Sequence, residues 1–470
     1  ALFAVFGNAT GLAMTQVALW APVWNNALWL LGLAALVRQF TTDRRHVWLS
    51  IWIFASVNWI DQDYFSPQAF AFLLYLVILA LMLRLLRRNS PMTVPRRLRA
   101  VWEGMMRWLG FPTGPGPGSP DWARPTGDRA RGLLLVTVLS AAMIASHQLT
   151  PFALLVAVAA LVLVGASTPR LPVILLLILT AWLVLPASTY LGGHPVLNGH
   201  NLSSTVGDNL TDRIIGSPER LFVLRLRMIL TAAVWALAAV GLVRRWRAGH
   251  RDVACVALAA APFVLLPAQS YGGEMLLRVT LYSLPFAGFF AAAALLPRSG
   301  GRTAGLASRI LRAALIAVLG SVLGAASVAA RYGNARFDVF TPGDVAGVHA
   351  LYAYARPGDV LFAGGHATPW RYRDYDAYRY LSIQDLCKAP DLTAEGCFDR
   401  IRDEVRLSPS DRGLILMNRA NRQAIRMQNL LPAGMLAGVE ERLGTVPGGR
   451  LVLATPEARL YELRIDWSSS

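Results

Sequence analysis

The chain is predicted to be predominantly α-helical, a polytopic transmembrane array of about 11 spans followed by a C-terminal extracytoplasmic α/β domain. Three observations carry that expectation. Apolar runs close to the roughly 20 residues needed to cross a bilayer as a helix recur from Ala1 to about Gly333. The connections between them alternate between arginine-rich and arginine-poor. Beyond Gly333 the apolar runs shorten and alternate with helical patterns, which divides the chain into domains 1–333 and 334–470.

Spans are predicted near 1–18, 24–40, 47–60, 68–86, 132–147, 152–167, 171–187, 221–243, 253–268, 279–297 and 309–331. Lys and Arg in short loops are retained on the cytoplasmic side, so the connections at Thr42–His46, Arg87–Arg131, Pro169–Arg170, Arg244–Arg251 and Arg298–Arg312 belong there. The connections Trp20–Asn26, Asp61–Gln68, His147–Pro151, Ser188 to about Leu221 and Gln269–Arg278 then face outside, with the N-terminus in and the C-terminal domain out. The spans near 47–60 and 253–268 are short for a crossing and call for tilt or a thinned bilayer. An integral protein of a bacterial plasma membrane follows, with the lipid bilayer as its surroundings.

Composition agrees. The mean hydropathy is +0.43 and 55% of residues are hydrophobic. The net charge of +17 is concentrated in the cytoplasmic connections, so retention of positive loops explains it and nucleic acid is not an expected partner. Lys388 is the one lysine, a bias expected of a high-GC coding sequence. Ala1 opens an apolar run with no basic leader or small-residue cleavage site, which does not read as a signal peptide. Cys255 sits in an apolar run as a small buried hydrophobe, and Cys387 and Cys397 are close enough in sequence to bridge in an oxidising compartment. Their spacing matches no zinc pattern.

Two cytoplasmic stretches interrupt the array. Leu98, Val101, Trp102, Met105 and Leu109 fall at helical spacing among arginines, the pattern of an amphipathic helix on an anionic leaflet. Phe111–Pro120 is a Pro/Gly linker. In the C-terminal domain, helices are predicted at 343–355, 419–431 and 435–443, with strands at 359–362, 413–417, 450–454 and 459–463.

The polar chemistry gathers in the outside connections. Asn58–Gln68 carries Asp61 and Asp63, two carboxylates able to share a divalent cation or orient a base; the plainer reading makes them caps of the helix that Pro67 begins. Tyr64 and Gln68 flank them as substrate contacts. Ser146–Pro151 holds Gln148 and His147, the latter able to exchange protons or hydrogen-bond a phosphate, or simply a turn histidine satisfied by backbone groups. Gln269–Arg278 supplies Tyr271, Glu274 and Arg278; the last two, four apart at a helix start, form an ion pair or a ligand clamp whose guanidinium fork suits a phosphate. His194, His200, Asp208, Asp212 and Arg213 lie in a long outside connection that suits a lid.

The strings Asn58–Gln68, Ser146–Pro151 and Tyr271–Arg278 with Leu284-Pro285 resemble those of large membrane proteins of high-GC bacteria whose architecture is similar to GT-C glycosyltransferases. The architectural resemblance spans the chain, while the motifs span some thirty residues. It implies sugar transfer from a polyprenyl-phosphate-linked donor to a cell-envelope acceptor, with Asp61, Asp63 and His147 catalytic and Tyr64, Gln68, Gln148, Tyr271, Glu274 and Arg278 binding substrate. Asp61 and Asp63 would also take a divalent metal, Mg or Mn. The chain departs from the family in the first outside connection, where Gln16–Asn26 lacks the usual acid. The rival expectation is a transporter, flippase or scaffold that recognises a lipid-linked saccharide without cleaving it.

Overall fold

The computed structural model describes residues 2–12, 14–87, 129–188, 216–267, 274–296, 305–335, 339–371, 374–389 and 391–465, with the isolated positions 100 and 104. The amphipathic helix expected near Pro95–Leu109, the linker at Phe111–Pro120 and the lid segment from His194 to Arg213 lie outside the described residues, apart from those two positions. The chain forms two compact units: Ala1–Arg213 with Arg227–Ser327, and Ile214–Leu226 with Val328–Ser470.

The first unit is helical. Its elements are α1 (Leu2–Thr10), α2 (Met14–Val37), α3 (Arg44–Val57), α4 (Pro67–Leu81) running into a π-helical turn at Met82–Leu86, α5 (Arg129–Ser146), α6 (Thr150–Leu163), α7 (Arg170–Val184), α8 (Pro218–Arg247), α9 (Val253–Ala260) with a 3-10 turn at Ala261–Leu265, α10 (Met275–Leu295) and α11 (Leu306–Tyr332). The division between units falls within α8 and α11. Among the described residues six helices are long and apolar enough to cross a membrane: Gln16–Val37, Pro67–Leu86, Arg129–Ser146, Pro218–Arg247, Met275–Leu295 and Leu306–Tyr332. The apolar helices Thr150–Leu163, Arg170–Val184 and Val253–Leu265 are shorter.

The N-terminal pair of expected spans is different in the structure. No connection separates Trp20 from Asn26; α2 continues through them for 24 residues with Pro22 inside it. The break comes earlier, at Gly11, whose φ of 70° is the left-handed conformation that glycine adopts without strain at a helix end. The polar pair Asn25-Asn26 reads as a loop in isolation, but a helix tolerates it because both side chains find partners, described below.

Helix boundaries follow local chemistry. Asp43 caps α3 by accepting the Arg45 N–H at 2.8 Å, and Ser66 caps α4 by accepting from Ala69, with Pro67 in the first turn. Asp61 and Asp63 are therefore not the cap of α4. The interior is closely packed around Trp29, Phe54, Phe72, Tyr75, Tyr282 and Phe286, all fully buried. Trp29 meets Phe72 edge-on at 4.8 Å and donates its indole N–H to the Ala69 carbonyl at 2.9 Å. A Cβ on Gly241 would collide with the Phe290 carbonyl oxygen, so α8 and α10 approach backbone to backbone there.

The second unit is α/β. Its elements are α12 (Pro342–Tyr354), β1 (Val360–Ala363), β2 (Arg379–Ser382), α13 (Ile383–Leu386), α14 (Ala394–Arg406), β3 (Arg412–Asn418), α15 (Arg419–Gln428), α16 (Met435–Thr445), β4 (Gly449–Ala454) and β5 (Ala458–Arg464). The strands form one sheet in the order β2-β1-β3-β5-β4; β1 runs parallel to β2 and β3, and β5 is antiparallel to β3 and β4. Every residue of β1 and β3 is buried, because apolar clusters cover both faces. The expected strands and helices are present, and β2, α13 and α14 are additional to them. β2 is short and mostly polar, and α14 hides its apolar stripe of Cys397, Phe398, Ile401 and Val405 among charges.

Residues 216–226 belong to this unit through Ser217, whose N–H donates to the Met427 carbonyl at 2.9 Å, and through Glu219, which lies 3.8 Å from Arg426. Cys387 and Cys397 form a disulfide with Cα atoms 5.3 Å apart, and Cys255 is a buried free thiol. Replacing Cys387 and Cys397 together by Ser is expected to cost about 2–3 kcal/mol, the chain-entropy value for so short a loop. Thermal unfolding of the full chain with and without reductant would measure it; unchanged stability would show the bond to be dispensable.

A buried ion network crosses the sheet. Arg412, 6% exposed, donates to Asp359 and to Glu462, both at 2.6 Å, and to the Tyr354 carbonyl at 3.0 Å. Arg450 and Arg464 add bonds to Glu462 at 2.7 and 2.9 Å. Burial alone would raise the Glu462 pKa, but hydrogen bonds and charge from Arg412 and Arg464 outweigh it and bring the carboxyl down to about 2. Since the folded value lies below the unfolded one near 4.5, this stabilisation is complete above pH 4.5 and is lost as pH falls toward 2. Acid titration of the full chain, followed by amide exchange in β3 and β5, should show protection in this sheet declining across that window; a Glu462→Gln variant should show a flatter decline.

Candidate functional site

The described side chains of Asn58–Gln68, Ser146–Pro151 and Glu274–Arg278 belong to one end of the first unit, formed by the start of α4, the α3–α4 and α5–α6 connections and the start of α10. The basic ends of α2, α4 and α8, with the starts of α3, α5 and α7, lie at the opposite termini of the same helices.

Arg278 stands one turn into α10 and is 6% exposed. It donates to Glu274 at 2.7 Å, closing the i,i+4 pair, and through its other terminal nitrogen to the Gln62 side-chain Oε1. Its fork thus joins α10 to the α3–α4 connection. Glu274 remains 41% exposed, so the pair opens toward solvent on one side.

Asp63 is 1% exposed. The Asn26 side-chain amide donates to its carboxylate, and Asn25 donates to its backbone carbonyl at 2.8 Å. These two asparagines are what sequence reasoning missed. Their signal was present: a pair of amides inside an otherwise apolar helix is costly unless engaged. Asp61 is exposed and has φ 57°, the one left-handed non-glycine residue of this unit among those described. A left-handed aspartate is uncommon strain of the kind that functional loops retain. Tyr64 is half exposed, Gln68 is buried in the first turn of α4, and Tyr271 lies outside the described residues.

His147 lies in the turn between α5 and α6. The Thr150 N–H donates to its Nδ1 at 3.1 Å, which makes Nδ1 an acceptor and puts the proton of the neutral ring on Nε2. The Thr150 hydroxyl is 2.8 Å from the same nitrogen and 2.6 Å from the Tyr282 hydroxyl, a relay of Tyr282 to Thr150 to His147. Burial, with a smaller contribution from the positive charge of Arg278, lowers the His147 pKa to about 4. At neutral pH the imidazole is therefore an uncharged hydrogen-bonding group, not the cation a phosphate would favour. With Gln148 it lines a cavity of about 150 Å³ walled by Leu179 and Trp182.

The structure thus joins Gln62, Glu274 and Arg278 by direct bonds, places Asp63 beside Gln62 in sequence and against α2, and brings His147 within the electrostatic reach of Arg278. Among the described residues no three His, Cys, Asp or Glu side chains come together as a protein cage for a metal. The hard carboxylate oxygens of Asp61 and Asp63 suit Mg or Mn, which commonly take one or two carboxylates and complete their shell with water and substrate phosphates.

In the second unit a polar group occupies the carboxyl ends of the parallel strands. Thr368 and Asn421 exchange hydrogen bonds, and His366 pairs with Asp385 at 3.1 Å beside Gly364 and Gly365. No protein-family model matches the chain, and no curated protein matches it.

Proposed function

We propose that the protein is a GT-C-type membrane glycosyltransferase that moves a sugar from a polyprenyl-phosphate donor to a cell-envelope acceptor at the outer face of the bacterial plasma membrane. The observation that supports this most is Arg278: a nearly buried guanidinium at a helix start, bonded to Gln62, the residue between Asp61 and Asp63, at the end of the array remote from the basic helix ends. In this reading Arg278 turns from Glu274 and Gln62 to the donor phosphate, holding two of its oxygens. The acceptor hydroxyl attacks the anomeric carbon and its proton passes to Asp63 or Asp61, while the bond from that carbon to the phosphate oxygen breaks and the phosphate leaves on Arg278. Neutral His147 donates its Nε2–H to a substrate oxygen. A divalent ion, if used, would be held by Asp61 and Asp63 and would neutralise phosphate charge.

An extracytoplasmic second unit accords with its disulfide, which persists in oxidising compartments. The non-enzymatic alternative, recognition of a lipid-linked saccharide by a transporter, flippase or scaffold, draws on the fact that Arg278 is already bonded to Gln62 and Glu274. The full chain in detergent, supplied with polyprenyl-phosphate-linked sugars and envelope glycan acceptors, separates the two. Transfer abolished by Asp61→Asn or Asp63→Asn supports the enzyme; donor binding without transfer in the unaltered protein supports the alternative.

A further inference from the structure

We propose that a recess at the opposite end of the helix array, between the end of α2, the start of α3 and the π-helical turn after α4, binds the phosphate of an anionic phospholipid. The recess has a volume of about 420 Å³ and is lined by Arg38, Arg44 and Arg84 together with Gln39 and Trp48. All three arginines are exposed, and none has a side-chain ion pair or hydrogen bond among the described residues. The adjacent carboxylate, Asp43, is engaged in capping α3 through the Arg45 N–H. Three guanidinium groups around one hollow repel each other, and a phosphate both removes that repulsion and meets their donor geometry.

A second observation points to the same occupant. Gln39 is 6% exposed and lines the recess; its Nε2 donates to the Ala35 carbonyl at 2.9 Å, while its Oε1 has no hydrogen-bond partner. That orphaned acceptor calls for a donor such as a headgroup hydroxyl. The setting selects a lipid over a free ion. Two of the helices framing the recess, Gln16–Val37 and Pro67–Leu86, are long and apolar enough to span a bilayer, so their ends lie at headgroup depth. Trp48, 59% exposed on the rim, is the residue type that partitions to that depth. Arg84 itself belongs to the π-helical turn Met82–Leu86, a rare geometry that recurs at functional sites. This site is independent of the sugar-transfer reading and survives its failure.

The test uses the full chain in a non-ionic detergent, titrated separately with dioctanoyl phosphatidylglycerol, dioctanoyl phosphatidylcholine and inorganic phosphate. Tryptophan fluorescence follows binding, and native mass spectrometry counts retained lipid. Phosphatidylglycerol should bind more tightly than phosphatidylcholine, and inorganic phosphate at the same concentration should not displace it. The R38Q/R44Q/R84Q variant should bind phosphatidylglycerol about a hundredfold more weakly, at about fivefold per arginine. The charge-preserving R38K/R44K/R84K variant should bind more tightly than the triple Gln variant and less tightly than the unaltered protein. Should the triple Gln variant not fold, the three single Gln variants each carry the fivefold expectation. Undiminished binding by the Gln variants, or equal binding of the two lipids, overturns the proposal. Displacement by equimolar inorganic phosphate overturns the lipid assignment in favour of a soluble phosphate.

Discussion

Arg412→Ala should destabilise the second unit by about 3–5 kcal/mol, because it leaves the carboxylates of Asp359 and Glu462 buried without their shared cation. Asp359 is 0% exposed and Glu462 2%, so water cannot replace the guanidinium. Arg450 and Arg464, more than half exposed, still reach Glu462 and soften the loss on that side, whereas Asp359 loses its only ion pair among the described residues. The expected result is loss of amide protection in β1, β3 and β5 of the full chain while the helical array keeps its own. Wild-type protection in the variant would mean that the sheet does not depend on this network. Arg412→Met is a sharper probe, since it supplies the volume without the charge and isolates the cost of the stranded carboxylates.

The largest functional effect is expected at Arg278. Removing a desolvated phosphate contact costs about 1.5–3 kcal/mol, or roughly ten- to over a hundredfold in donor affinity. Arg278→Lys should recover part of that, because a point charge cannot reproduce the planar fork that reaches Glu274 and Gln62 at once. Asp63→Asn should instead lower turnover by about 10²–10⁴ with little change in donor affinity, as a group acting in the transition state would. Measured donor dissociation constants and turnover numbers, with helical content checked for each variant, distinguish these outcomes. Full activity in both folded variants would be incompatible with the proposed transfer and would leave recognition without cleavage as the better reading.

How far the sequence alone leads depends on the reach of each interaction. The strands at Val360–Ala363 and Arg412–Asn418 are legible because a run buried on both faces is apolar throughout, and α12 announces itself by the Thr341-Pro342-Gly343-Asp344 capping box. β2 is not legible, since its four residues are too short a run to show a periodicity even though Tyr380 and Leu381 pack against the two core clusters. The same limit applies at the candidate site. Arg278 and Glu274 are four residues apart and their bond follows from helix geometry, but Gln62 is 216 residues from Arg278 and no local rule pairs them. The misplaced loop at Trp20–Asn26 has this origin as well: Asn25 and Asn26 look like turn residues until Asp63, from another connection, is set against them.

The attachment of residues 216–226 to the second unit bears on biosynthesis. The Ser217 N–H and the Met427 carbonyl that accepts from it are separated by 210 residues, and α9, α10 and all of α11 emerge from the ribosome between them. At ordinary elongation rates of about 5–20 residues per second, the earlier segment waits on the order of ten seconds or more for its partner. Completing this unit is therefore a late event in synthesis, and a fragment that starts at Val328 would emerge without the segment that bonds to Met427.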